Sequence, residues 1–92
     1  MPTLRIEHAV PHYETWKAAF DADPIDRRRS GVRRYRVLRP VDDPRYVMID
    51  LEFDTLREAE AVQRALHELW RRVDVATDPR ARIIETAASA EC

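Results

Sequence analysis

Residues 46–53 alternate between apolar and polar side chains, and this pattern restricts the possible folds more than any other feature of the sequence. A period of two places successive side chains on opposite faces of a β-strand. One face of this predicted strand carries Val47, Ile49, Leu51 and Phe53. The other face carries Tyr46, Met48, Asp50 and Glu52. The sequence therefore predicts a strand with one face buried in a core.

The beginning of the chain shows the same alternation. Residues 3–10 predict a first strand, whose inward face carries Leu4, Ile6, His8 and Val10. Two further strands are predicted at residues 32–39 and 81–86. Asp78 and Pro79 are interpreted as a turn before the last strand, because this residue pair is typical of turns.

Two helices are predicted between these strands. The first covers residues 13–23 and ends before Pro24, since proline lacks the N–H that a helix interior requires. Its apolar side carries Tyr13, Trp16 and Phe20. The second helix begins at residues 55–58, whose sequence TLRE matches a capping box, and continues to about residue 73.

The predicted order of elements is β-α-β-β-α-β. Two helices can cover one face of a four-stranded antiparallel sheet, so we expect an α+β domain of ferredoxin-like architecture. The sheet face away from the helices would carry Arg5, Glu7, Met48, Asp50 and Glu52, joined by Arg34, Arg36 and Leu38 if the second strand has that parity. Two interpretations of this face remain open: a solvated surface with cross-strand ion pairs, or a homodimer interface whose charges pair and fix the register.

Length and composition exclude several classes of protein. The 92 residues correspond to one domain, which we assign to residues 1–86, with residues 87–92 as a flexible tail. The single glycine excludes glycine-rich phosphate loops, and the single cysteine, Cys92, excludes an internal disulfide and a cysteine-based zinc site. No apolar run of about 18 residues and no signal-peptide pattern is present. We expect a cytoplasmic protein that binds neither membrane, metal nor cofactor.

A basic segment covers residues 27–39 and contains Tyr35. RNA-recognition motifs share the predicted order of elements and place aromatic and basic groups on exposed faces of their first and third strands. Here those positions hold Glu7, Asp50 and Glu52, which would repel phosphate, and the net charge of the chain is −1. We therefore expect no nucleic-acid binding. The segment is interpreted as a solvated arm or a source of inter-subunit ion pairs, with an anionic ligand or a partner protein as the other alternative.

His8 and His67 are the candidate catalytic residues. A neutral imidazole at His8, on the inward face of the first strand, would suit a general base near pH 7; the alternative is a core histidine held by a hydrogen bond. His67 lies one turn after Gln63 and near Trp70, where it either closes a pocket rim or is half-exposed at the helix border. His12 is interpreted as a surface residue near a helix cap.

Aromatic residues supply most of the candidate ligand pocket, whose predicted members are Trp16, Phe20, Tyr35, Gln63 and Trp70. Aromatic side chains at helical spacing form either an ordinary core stripe or a wall on which a flat ligand stacks. The phenol of Tyr35 would donate a hydrogen bond to a ligand carbonyl, or its ring would meet a neighbouring arginine.

The sequence resembles small bacterial proteins of the dimeric α/β-barrel superfamily, similar to antibiotic biosynthesis monooxygenases and to homologues labelled as cyclases. Nearly the whole chain carries the resemblance, in the segments LRIEHAVPHYETW, KAAFDADP, GVRRYRVLRPVDDPRYVMIDLEFDT and EAEAVQRALHELW. It implies that two ferredoxin-like protomers stack sheet on sheet into a barrel, each with a pocket between sheet and helices. Haem-degrading members use a pocket asparagine, and this sequence contains no asparagine.

Two hypotheses of different classes follow. In the first, a cofactor-free homodimer acts as a monooxygenase- or cyclase-like enzyme on a polycyclic or phenolic substrate. His8 or His67 would move the proton, Trp16, Phe20 and Trp70 would hold the rings, and Tyr35 would polarise a carbonyl. In the second, the protein is a non-catalytic ligand-binding or accessory interaction protein. An open pocket with a histidine at its floor favours the first hypothesis, and a filled core favours a structural role.

Overall fold

The computed structural model describes residues 1–72 and 77–92. Its elements, in chain order, are β1 (Thr3–Ala9), α1 (Tyr13–Asp21), β2 (Arg34–Leu38), β3 (Tyr46–Glu52), α2 (Leu56–Trp70) and β4 (Thr77–Ile84). The four strands form one antiparallel sheet in the order β2-β3-β1-β4. The predicted order of elements and the ferredoxin-like fold are confirmed.

The pairing register also confirms the predicted division of the sheet into two faces. Alternate side chains of β1 and β3, with the residues just beyond their ends, are buried on the helix side: Leu4, Ile6, His8, Val10, Val47, Ile49, Leu51 and Phe53. In β2, Tyr35 pairs with Leu51 and Val37 with Ile49, so these two residues face the helices. Arg34, Arg36 and Leu38 therefore lie on the opposite face.

Both helices begin at side-chain caps. His12 caps α1 by accepting a hydrogen bond from the Thr15 backbone N–H, and Thr55 caps α2 by accepting one from Glu58. The buried residues of α1 and α2 are Trp16, Ala59, Val62 and Leu66. Leu56, the first residue of α2, is apolar but 55% exposed.

Several predicted boundaries differ from those in the structure. Helix α1 ends at Asp21 and not at residue 23, since Asp23 has a φ of 56°, outside the helical range. Strand β2 is shorter than predicted, starting at Arg34 after a turn at Gly31. Helix α2 ends at Trp70, and its predicted end near residue 73 lies outside the described residues.

The prediction of a turn at Asp78 and Pro79 is wrong. Strand β4 begins at Thr77 and runs through both residues to Ile84, two residues before its predicted end. The register of β1 against β4 shifts between Glu7 and Ala9, and Asp78 has a φ of 50°. This irregularity, on an edge strand, accommodates a proline that cannot donate to the ladder.

The sheet face away from the helices, here called the open face, carries Arg5, Glu7, Arg34, Arg36, Leu38, Met48, Asp50, Glu52, Arg80, Arg82 and Ile84. Asp50 is its central residue and is only 4% exposed. Arg5 donates to both carboxylate oxygens of Asp50 at 2.8 Å, and Arg36 donates to one of them at 3.2 Å. The hydrogen bonds from Arg5 lower the pKa of Asp50 and raise that of Arg5.

Candidate functional site

A cavity of about 300 Å³, here called the apolar cavity, lies between the sheet and the two helices. The strands contribute Ile6, His8, Ile49 and Leu51 to its walls. Helix α1 and the loop that follows it contribute Trp16, Ala19, Phe20, Ala22, Pro24, Ile25 and Arg27. Helix α2 contributes Leu66, Leu69 and Trp70. The volume is at the lower end of the range of roughly 300–1,000 Å³ that is usual for small-molecule sites.

Aromatic rings surround one part of this cavity. The ring of His8 meets Trp16 at 6.0 Å and Trp70 at 6.4 Å between centroids, both edge to face. Trp16 stacks on Phe20 at 5.2 Å. Arrangements of this kind are favourable for aromatic pairs and hold the rings in fixed orientations. The cavity therefore has rigid flat walls, which suit a flat ring system.

Among the residues that the structure describes, His8 is the only histidine that lines the apolar cavity. It is 3% exposed, and burial lowers its pKa by disfavouring the charged imidazolium. The imidazole is therefore neutral at pH 7. Its Nδ1 lies 3.2 Å from the carbonyl oxygen of Ala9, which accepts a hydrogen bond, so Nδ1 carries the proton. Nε2 is then the basic nitrogen of a ring whose residue lines the cavity.

Arg27 is the charged side chain in the wall of this cavity. Its Nη1 donates to the carbonyl oxygen of Phe20 at 2.7 Å, near the end of α1. Its guanidinium carbon lies 4.0 Å from the centroid of the Phe20 ring and 5.0 Å from that of Tyr35. These contacts hold the guanidinium against both aromatic rings, where cation–π attraction stabilises it.

The predicted site residues divide into two groups. His8, Trp16, Phe20 and Trp70 lie together in the wall of the apolar cavity, while His67, Tyr35 and Gln63 lie outside it. His67 is exposed and packs on Trp70 from outside, at 5.5 Å between ring centroids.

Gln63 and Tyr35 make other contacts. The Nε2 of Gln63 donates to the carbonyl oxygen of Ala81 at 2.8 Å and so ties α2 to β4. Tyr35 packs edge to face on Phe20 at 5.2 Å, next to a second, more polar cavity.

Sequence reasoning missed that the loop at residues 22–33 forms part of the wall of the apolar cavity. Asp23 and Asp26 both take positive φ, at 56° and 52°, and turn the loop back over the end of α1. Glycine would have marked such turns, but aspartate adopts this conformation without an unambiguous signal. The sequence analysis treats Arg27 only as part of a basic segment with several possible roles, whereas its side chain is only 15% exposed in the structure.

Residues 1–72 and 77–92 contain neither a helix that could span a membrane nor a cluster of metal ligands. Neither helix in these ranges combines the length and apolarity that crossing a membrane requires. Within the same ranges, no three histidine, cysteine, aspartate or glutamate side chains converge as ligands of a metal would. His8 and His12 are four residues apart, but one lies in β1 and the other caps α1.

No protein-family model matches the sequence, and no curated protein matches it significantly. Solved structures do match. A protein from Nitrosomonas europaea, provisionally named an antibiotic biosynthesis monooxygenase, has a TM-score of 0.70 and 22% identity over 96% of this chain and 100% of its own. A protein from Deinococcus radiodurans with the same provisional name has a TM-score of 0.69 and 16% identity over 100% of this chain and 98% of its own.

A third match is an arginine-to-serine variant of MhuD with two manganese protoporphyrin IX molecules in each active site. Its TM-score is 0.65, with 16% identity over 100% of both chains. The structural resemblance to antibiotic biosynthesis monooxygenases, expected from the sequence, is thereby confirmed for the fold.

Proposed function

We propose that the protein is a homodimer in which each protomer binds a polycyclic or phenolic molecule in the apolar cavity, and that it acts as a cofactor-free monooxygenase- or cyclase-like enzyme. The observation that carries this proposal is the neutral imidazole of His8, buried between Trp16 and Trp70 at the cavity wall. A desolvated base beside flat aromatic walls suits proton removal from a bound aromatic substrate.

The first chemical step follows from the protonation state of His8. Nε2 takes a proton from a phenolic O–H or an activated C–H of the substrate, and the electron pair stays on the substrate as a phenolate or enolate. Trp16 and Phe20 hold the rings, and the apolar walls exclude water from the anion. In oxygen insertion, the deprotonated carbon would attack dioxygen as a co-substrate and take the proton back from His8 to form a hydroperoxide, whose O–O bond would break with loss of water to leave a carbonyl. In cyclisation, the same carbon would attack a carbonyl of the same molecule, and the new alkoxide would take the proton back from His8.

Binding is tested by tryptophan fluorescence, corrected for the inner-filter effect, with naphthols, anthraquinones, flavonoids and haem as ligands. Trp16 and Trp70 are the only tryptophans and both line the cavity, so a ligand there should quench both. Trp16→Phe and Trp70→Phe should each retain saturable quenching from the remaining tryptophan. No saturable response to any compound would contradict the proposal.

Catalysis is tested with His8→Gln against His67→Gln, measuring substrate turnover for the ligand that binds. Loss of a general base lowers turnover by roughly 10²–10⁴-fold, which is the expectation for His8→Gln. His67 is exposed and lies outside the cavity, so His67→Gln should retain most of the activity. Full turnover by His8→Gln would refute the assigned role of His8.

A second candidate function has support of its own. Apart from His8 and Arg27, the described residues of the cavity wall are apolar, which suits a protein that only binds its ligand. Saturable binding without turnover, and without loss of affinity in His8→Gln, would favour this ligand-carrying function.

The homodimer is proposed to form through the open face. Two helices leave this face uncovered, and it carries apolar side chains, Leu38, Met48 and Ile84, among its charges. Light scattering at micromolar concentration should give twice the 10.8 kDa of one chain. Met48→Arg should lower the mass toward one chain, whereas Val41→Arg, at a fully exposed loop position, should not. A single-chain mass for the wild type would exclude the homodimer.

A further inference from the structure

Arg27 lies in the walls of two cavities at once. One is the apolar cavity. The other, here called the arginine basin, has a volume of about 490 Å³ and is lined by Asp23, Arg27, Arg28, Val32, Arg33, Arg34 and Tyr35. The guanidinium of Arg27, which lies against both Phe20 and Tyr35, therefore belongs to a residue that borders an apolar space and a strongly basic one.

The arginine basin has more positive than negative charge in its wall, with four arginines against one aspartate. Arg33 pairs with Asp54 at 2.8 Å and Arg34 with Glu52 at 3.2 Å. Among residues 1–72 and 77–92, no carboxylate lies within ion-pair distance of Arg28.

The charge of Arg27 is also only loosely balanced. The nearest carboxylate, that of Asp23, lies 3.5 Å from Arg27 Nη1. The same Asp23 oxygen accepts a hydrogen bond of 2.9 Å from the Arg27 backbone N–H. A guanidinium has five N–H donors, and the bond from Arg27 to Phe20 uses one of them. Donors of Arg27 thus remain for a ligand.

We infer that the ligand is an aromatic carboxylate, whose rings occupy the apolar cavity and whose carboxylate lies in the arginine basin against Arg27 and Arg28. This inference rests on the proposed function, because it takes the apolar cavity as the ring site. A planar guanidinium matches the geometry of a carboxylate better than any other cation of the protein does. Tyr35, whose phenol is a hydrogen-bond donor, lines the same basin.

The aromatic faces around Arg27 strengthen this arrangement. Phe20 and Tyr35 cover the guanidinium and reduce its contact with water, and its side chain is 15% exposed. A carboxylate that meets a partly desolvated, preorganised guanidinium gains more than one that meets a solvated arginine. Arg27, more than the exposed Arg28, should therefore determine the preference for an anion.

The test compares naphthoate with naphthylmethanol, which share a ring system and differ in charge, by isothermal titration calorimetry at low and near-physiological ionic strength. Naphthoate should bind the wild type roughly ten- to a hundredfold more tightly, the range expected for charge-assisted hydrogen bonds. Salt should reduce this preference for naphthoate, since part of the basin is exposed to solvent.

Four variants locate the effect. Arg27→Gln should lose the preference for naphthoate over naphthylmethanol, while Arg27→Lys should retain part of this preference. Arg28→Gln should lower the preference for naphthoate severalfold. This variant also tests the inference if Arg27→Gln does not fold. Arg29→Gln is the matched control, because Arg29 is exposed and lines neither cavity.

The outcomes separate this inference from the proposed function. If neither compound binds, both fail. If naphthylmethanol binds and naphthoate binds no more tightly, the inference fails while the proposed ring site stands. If naphthoate is preferred equally by the wild type and by Arg27→Gln and Arg28→Gln, the carboxylate lies elsewhere and the inference is overturned.

Discussion

Ala19→Leu should make the protein more stable and its ligand binding weaker. Ala19 lines the apolar cavity from α1 and is half-buried. Alanine and leucine are both good helix formers, so the substitution reports mainly on packing. Leucine adds three carbons, worth about 2.4 kcal/mol if all were buried at about 0.8 kcal/mol each. Because the cavity is open to solvent on one side, we expect the free energy of unfolding to rise by only about 1 kcal/mol. This corresponds to a rise in Tm of about 4–8 °C.

The two properties of Ala19→Leu should change in opposite directions. Naphthylmethanol affinity should fall at least roughly tenfold, because the leucine occupies ligand space. Ala18→Leu is the matched control, since Ala18 is exposed on the same helix and lines no part of the cavity. Stability is measured by urea denaturation and calorimetry. A loss of more than about 1 kcal/mol relative to Ala18→Leu would indicate an overpacked site and refute the argument that this space is free for a ligand.

Two further substitutions test contacts outside the cavity. Asp50→Asn should lower the free energy of unfolding by about 1–3 kcal/mol at pH 7. Because Arg5 lowers the pKa of Asp50 in the folded state, this contribution is present above the unfolded pKa of about 3.9 and is lost as the pH falls through the folded value. In urea denaturation, the free energy of unfolding lost in Asp50→Asn should therefore be smaller below about pH 4 than at pH 7. An equal loss at pH 7 and below about pH 4 would contradict the ion pair. Gly31→Ala should cost about 1–2 kcal/mol from its φ of 97° alone. It should cost more with Glu58 in place than in a Glu58→Ala background, because the new Cβ would lie 2.5 Å from Glu58 Oε2.

The two faces of the sheet could be predicted because a strand has a period of two. Once Ile49 and Leu51 are placed inside, Met48 and Asp50 must lie outside, whatever the tertiary contacts are. The inward position of His8 follows in the same way from its neighbours in β1. This part of the candidate site was therefore accessible to sequence reasoning.

Contacts made by the loop and by long polar side chains could not be predicted from periodicity. The helical pattern places Gln63 near the cavity, but its amide reaches the Ala81 carbonyl, a partner 18 residues away in the sequence. Arg27 belongs to a run of arginines, and only the positive φ of Asp23 and Asp26 brings it over Phe20. Such placements depend on which backbone groups need partners after the fold has formed.

The proposed ligand site and the proposed dimer interface lie on opposite faces of the same strand, so they should vary independently. In β3, Ile49 and Leu51 line the apolar cavity, whereas Met48 and Asp50 lie on the open face. A substitution on one face changes no side chain on the other. Met48→Arg should therefore leave naphthylmethanol affinity within roughly twofold of the wild type, the scatter found for independent sites. A much larger loss in calorimetry, with the circular dichroism spectrum unchanged, would mean that the cavity binds its ligand only when a second copy covers the open face.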